Sequence, residues 1–151
     1  MVNPISVENR RIYIDANVLI NYCTKQPSDY AELKRLFSAR SGAQLVTSNL
    51  AIVQTIAKLQ TKTKSREQLG ADEIKRHIKY FYAHCNIYEV KNNDIKDAMD
   101  YPEAKDLEDN IHFVVSQRLG CDMILPNNKK DFTRFNVIVR TPRKVKPRTK
   151  K

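Results

Sequence analysis

Glycine is scarce in this chain, with 3 in 151 residues, and none falls in a GxGxxG or GxxxxGKS arrangement. That excludes the glycine-rich loops that cradle nucleotide phosphates. Cysteine is equally sparse: Cys23, Cys85 and Cys121 lie far apart and form no CxxC pair. A disulfide framework and a thiolate zinc site are both disfavoured, and a reducing, cytoplasmic setting is expected. No apolar run approaches the roughly 20 residues of a membrane span, and the N-terminus lacks a signal-peptide core, so no membrane association is expected.

Acidic residues are absent from one stretch in particular. Arg140 to Lys151 contains Arg140, Arg143, Lys144, Lys146, Arg148, Lys150 and Lys151 and no Asp or Glu. The net charge of +10 comes from 27 basic and 17 acidic residues; without this stretch, 20 basic residues face the same 17 acids, about +3. Pro142, Pro147 and the lack of apolar periodicity predict a disordered arm. Such arms bind polyanions, most often nucleic acid, with a purely solubilising terminus as the alternative. The expected organisation is one domain over residues 1–140 and a basic tail over 141–151. A chain of this length buries roughly 70% of its unfolded surface, and a hydrophobic content of 41% is ordinary for a globular protein.

Read by periodicity, strands and helices alternate. Strands are predicted at Ile12–Asp15, Gln44–Thr47, Asn86–Val90, Met123–Leu125 and Val137–Val139. Helical spacing covers Tyr30–Arg40, Asn49–Gln60, Glu67–His84 and Leu107–Leu119. This alternation implies βαβ units and an α/β fold with a mostly parallel central sheet.

The first strand, Arg11-Ile12-Tyr13-Ile14, runs into Asp15-Ala16-Asn17, which places polar groups at the carboxyl end of a strand, where α/β sheets bind their ligands. Two further acidic clusters follow, Lys105-Asp106-Leu107-Glu108-Asp109-Asn110 and Asn127-Asn128-Lys129-Lys130-Asp131-Phe132. Each acid also has a structural reading. Asp15 suits the N-cap of a helix starting near Ala16. Asp106 with Asp109 resembles a capping box, and Asp131 suits a turn. Capping needs one acid per helix, however, and Asp106 and Asp109 form an i, i+3 pair on one face. Carboxylates gathered so closely call for a cation, which points to a divalent-metal site.

These residues carry a resemblance. Ile12-Tyr13-Ile14-Asp15-Ala16-Asn17-Val18-Leu19 resembles the first motif of PIN-domain nucleases, the fold of VapC-type toxins in toxin–antitoxin pairs. Asp106-Leu107-Glu108-Asp109-Asn110-Ile111 is similar to the third motif, D-x-x-D-A-I. Ile124-Leu125-Pro126-Asn127-Asn128-Lys129-Lys130-Asp131-Phe132 is similar to the fourth, I-x-T-x-N-x-K-D-F. The likeness spans about Arg11 to Pro142. It implies a three-layer α/β/α fold and a Mg²⁺- or Mn²⁺-dependent endoribonuclease, the toxin of a pair, with RNA, a cognate antitoxin and a second copy of the chain as partners. It makes Asp15, Asp106, Asp109 and Asp131 the catalytic carboxylates. Asp15 and Asp109 would be direct metal ligands, and Asp106 a ligand or water-positioning base. Asn17, Ser48, Gln54 and Asn128 would support the site: Asn17 would hold Asp15 or its loop, and Ser48 would touch a metal-bound water or phosphate. On charge rather than resemblance, Lys129 and Lys130, unless they are a solvated face, and Arg143, Lys144 and Lys146 of the tail are expected to contact nucleic acid.

Two positions depart from the family pattern. The second motif matches at Val46-Thr47-Ser48, but its Glu falls on Gln54, an amide without charge. Pro126 stands where Thr is usual. The alternative function is therefore a PIN-fold nucleic-acid-binding protein with weakened hydrolysis. Gln54 either faces the pocket or is a half-buried amide. A third class, another α/β phosphoryl-transfer enzyme, is disfavoured: Asn17 replaces the second Asp of a haloacid-dehalogenase-like phosphatase, and the paired acids of a receiver domain are missing. Lys58, Lys62, Lys64 and Arg66 either track an RNA backbone or form a solvated face. His77 and His84 are expected to pack, and His112, off the Leu107–Ile111 stripe, is expected to be solvated. Tyr80, Phe81, Ile87 and Tyr88 are either core or a dimer contact.

Overall fold

The computed structural model describes residues 5–6, 10–38, 41–64, 66–101, 107–125 and 145–146. The chain opens with β1 (Ile5–Ser6), β2 (Arg11–Ile14), α1 (Ala16–Cys23), α2 (Pro27–Phe37), β3 (Gln44–Ser48) and α3 (Asn49–Leu59). It continues with α4 (Ala71–His84), β4 (Asn86–Tyr88), α5 (Asn92–Ala98), α6 (Leu107–Arg118), β5 (Met123–Leu125) and β6 (Val145–Lys146). The central sheet has the order β4-β3-β2-β5 with every pairing parallel.

Side-chain alternation along each strand divides the core into two layers. Ile12, Ile14, Met123 and Leu125 face one side, packing with Leu19 of α1, Leu33 of α2, Ile52 of α3 and Phe81 of α4. Tyr13 and Ile124 face the other, against Ala98 of α5 and Phe113, Val114 and Val115 of α6. The result is the α/β/α sandwich implied by the resemblance, built on the parallel sheet expected from the alternation. Phe81 is fully buried, Tyr80 and Ile87 pack against the first cluster, and Tyr88 against the second, so this stripe belongs to the core.

Several boundaries differ from the pattern-based ones. The helix predicted from Glu67 starts at Ala71, behind Gly70 in an extended N-cap conformation. The helix predicted from Tyr30 starts three residues earlier, at Pro27, whose fixed φ suits a first turn. Helix α5 was not expected, because Asn-Asn-Asp-Ile-Lys-Asp-Ala lacks apolar periodicity. Tertiary bonds hold it instead: Asp94 is fully buried and accepts from the Lys91 N–H (2.8 Å), the Tyr88 hydroxyl (2.9 Å) and the Arg118 guanidinium, which also binds Asp97. Within the basic terminus, Val145–Lys146 form β6, paired in parallel with β1; the rest of the expected tail, 141–144 and 147–151, lies outside the described residues. The predicted strand Val137–Val139 lies outside the described residues.

Candidate active site at the carboxyl edge of the sheet

From β2 the chain builds β3 and then β4 outward to one side, and β5 returns to β2's other side. The carboxyl end of β2 is therefore the point where the strand order reverses, the usual place for a crevice in an open parallel sheet. Asp15 stands there. Its N–H donates to the Leu125 carbonyl (3.2 Å), and its own carbonyl receives the Val18 N–H (3.1 Å) as α1 begins. Asp15 occupies the N-cap position in extended conformation, yet its side chain makes no capping hydrogen bond. The capping explanation for this acid therefore does not hold, although the residue is only 4% exposed.

Asp15 and Asp109 line one cavity of about 490 Å³, with Asn17 on α1, Gln54 and Lys58 on α3, and His112 on α6. Two carboxylates 94 positions apart in sequence thus share a space. Glu108 is exposed, as expected, and sits at the rim. Asn17 also lines the cavity, but among the described residues its exposed side chain makes no hydrogen bond, so the expected tie to Asp15 or its loop is absent.

Three residues were misjudged or missed by pattern alone. His112 is 1% exposed rather than solvated. Helix α6 is buried at seven consecutive positions, Asn110 to Ser116, so it has no single core stripe to stand off from. The imidazole Nδ1 lies 2.6 Å from the Tyr13 hydroxyl and Nε2 lies 2.8 Å from Gln54 Oε1, with Asp15 Oδ1 at 3.6 Å. Tyr13, not singled out for the site, points opposite to Ile12 and Ile14 and joins Ser48 (2.9 Å) to His112. Burial pushes the Tyr13 phenol far above its ordinary pKa, so it stays protonated. Its sequence signal was a polar-tipped aromatic within an otherwise apolar strand. Ser48 was expected to reach metal water or phosphate. Instead it is fully buried, accepts the Ala51 N–H (3.1 Å) as the N-cap of α3, and among the described residues is tied to the site through Tyr13 and His112.

Asp106, Pro126, Asn128, Lys129, Lys130, Asp131, Arg143 and Lys144, and the side chain of Lys146, lie outside the described residues. Among the described residues no group of three His, Cys, Asp or Glu is arranged to hold a metal ion. The two carboxylates that do converge, Asp15 and Asp109, are hard oxygen ligands of the type Mg²⁺ and Mn²⁺ select, so they fit such an ion in kind. Thiols take no part: Cys23 and Cys85 are buried, and burial pushes them and Cys121 up to about 12. His77 is half-buried beside Tyr22, and His84 stacks on Tyr80 at 3.9 Å, both packing roles. Lys58 flanks the cavity, while Lys62 pairs with Glu67 (3.5 Å) and Arg66 donates to the Lys58 carbonyl (3.0 Å).

Comparison with known folds agrees with this architecture. VapC20 of Mycobacterium tuberculosis, a toxin that cleaves the sarcin–ricin loop, superimposes with a TM-score of 0.66 at 16% identity, over 85% of this chain and 98% of that one. VapBC2 of Rickettsia felis, solved bound to a DNA fragment from its promoter, gives 0.57 at 12% identity, over 87% and 98%. PAE2754 of Pyrobaculum aerophilum gives 0.59 at 14% identity, over 89% and 83%. A search of curated protein sequences returned no significant match. The family model for the PIN domain matches residues 12–137, from the strand that presents Asp15 to beyond the fourth motif, and the chain accordingly belongs to the PIN-domain family.

Proposed function

We propose that this protein is a divalent-metal-dependent endoribonuclease, the toxin of a toxin–antitoxin pair. The observation that carries this reading is the meeting of Asp15 and Asp109 in one cavity at the switch point of the sheet, with Asp15 uncommitted to capping. A bound Mg²⁺ or Mn²⁺ would supply Lewis-acid stabilisation of phosphate charge and a water acidic enough to attack. Asp15 and Asp109 would hold that ion. By family resemblance Asp106, Asp131 and Asn128 would complete the oxygen donors, with Asp106 as ligand or water-positioning base. Lys58 at the cavity wall, together with Lys129 and Lys130, would take phosphates.

The partner assignment draws on the same family. VapBC2 was solved with its promoter DNA, and an antitoxin that covers this site is the corresponding partner here, with homodimerisation a further inference from the family. No helix among the described residues is long and apolar enough to cross a membrane; a cytoplasmic site of action is part of the proposal. One observation favours a second reading, an RNA-binding protein with weakened hydrolysis: the position where the family carries Glu holds a neutral amide engaged by His112.

Incubating the purified protein with single-stranded RNA, in Mn²⁺ and in EDTA, separates the two. Cleavage in Mn²⁺ that EDTA abolishes is the expected result; binding without cleavage in either condition favours the second reading.

The basic terminus is proposed to add affinity without chemistry. Replacing Arg143, Lys144, Arg148, Lys150 and Lys151 by Gln keeps the β6 backbone and removes five charges. RNA binding is expected to weaken, and the slope of log affinity against log salt to flatten by up to ~0.7 per lost phosphate contact. An unchanged slope in a salt titration would reduce the segment to a solubility device.

A further inference from the structure

The hydrogen-bond chain behind the cavity has a direction. Ser48 Oγ is fully buried and already accepts the Ala51 N–H, and its one remaining partner among the described residues is Tyr13 Oη, so the Ser48 proton goes to the tyrosine. The Tyr13 proton then goes to His112 Nδ1 at 2.6 Å. With Nδ1 accepting, the imidazole carries its proton on Nε2 and donates it to Gln54 Oε1 at 2.8 Å. The reversed amide would set N–H against N–H. One lone pair of the Gln54 oxygen is therefore engaged by the histidine, and the end of the amide turned away from His112 is its NH₂. Gln54 and Lys58 stand four residues apart on α3 and line the same cavity as Asp15 and Asp109.

We propose that Gln54 is a substrate-contacting residue whose NH₂ donates to a non-bridging phosphate oxygen of RNA, and that His112 is the positioning residue that fixes this orientation. Gln54 then serves the ligand as a hydrogen-bond donor, and with Lys58 it adds donors to the cavity that holds the two carboxylates. Carboxylates alone repel a phosphodiester, so donors in the same cavity offset that repulsion. The inference deepens the ribonuclease reading and rests on it for the identity of the substrate.

Gln54→Glu keeps an oxygen for His112 Nε2–H but exchanges the NH₂ for a second oxygen. The affinity of a labelled single-stranded RNA oligonucleotide, measured in EDTA at low salt so that no cleavage occurs, is expected to fall on the order of tenfold or more. Mn²⁺ affinity, measured separately, is expected to stay the same or tighten with the added charge. Thermal melts without metal are expected to show some loss of stability, since the new carboxylate crowds Asp15 and Asp109. Unchanged RNA affinity in Gln54→Glu overturns the proposal, as does undetectable RNA binding by the wild type. Nuclear magnetic resonance of the wild-type protein provides a test that needs no variant. The His112 ring is expected as the Nε2–H tautomer, and the Gln54 side-chain amide signal is expected to shift when RNA is added in EDTA. An Nδ1–H ring or an unmoved amide overturns the proposal. A wild type that binds RNA but never cleaves it refutes the nuclease reading and leaves this one standing.

Discussion

Asp15→Asn and, separately, Asp109→Asn are expected to abolish Mn²⁺-dependent RNA cleavage while leaving the fold intact. An ion held mainly by carboxylates and waters loses one of its few charges in either variant. The rate loss should exceed roughly 100-fold, the upper range for losing a residue that merely orients a ligand. Stability should hold for a specific reason. The Asp15 side chain makes no capping bond to α1, Asn is equally good at that position, and removing one charge relieves repulsion between two acids that line one cavity. Activity and thermal melts on the same preparations check both halves. Cleavage at the wild-type rate by Asp15→Asn would show that the site lies elsewhere.

Asp94→Ala is expected to be the most destabilising single change among the described polar residues, costing about 2–3 kcal/mol, which corresponds to a melting temperature lower by roughly 4–12 °C for a domain of this size. The carboxylate is fully buried and is the common acceptor for the Lys91 N–H, the Tyr88 hydroxyl and the Arg118 guanidinium, so its removal leaves three donors without their acceptor and a void where α5 meets α6. Burial by itself would raise the pKa of Asp94. The backbone N–H of Lys91, the Tyr88 hydroxyl and Arg118 outweigh it and hold the carboxyl below its ordinary value. A depressed native pKa contributes stability that is present above the unfolded value, near 3.9, and lost as pH falls through the native one. The gap in melting temperature between wild type and Asp94→Ala should therefore be widest at neutral pH and narrow below about pH 4. A gap that does not change with pH would mean that packing, and not the charge network, sets the cost.

What the sequence determined by itself was local. The β-branched and aromatic run Ile12-Tyr13-Ile14 ending at Asp15 marked the strand and the end of the sheet where the cavity lies, because period-2 burial and the change to polar residues are written in consecutive positions. The alternation of strands and helices likewise fixed the α/β class and a parallel sheet, since parallel strands need long crossovers. The order β4-β3-β2-β5, which brings Asp15 and Asp109 into one cavity, depends on which strands pair across long stretches of chain. Helix α5 was invisible to periodicity because Asp94 and Arg118, contacts made only in the folded state, hold a segment with little apolar content. His112 was misplaced for the opposite reason: α6 is enclosed on nearly every side, so the rule that assigns polar residues to a solvent face had no such face to use. Its partners Tyr13 and Gln54 lie 99 and 58 positions away. A buried polar group chooses its partners by proximity after the chain has folded, and so the tertiary structure alone decided that Gln54 turns its oxygen to a histidine.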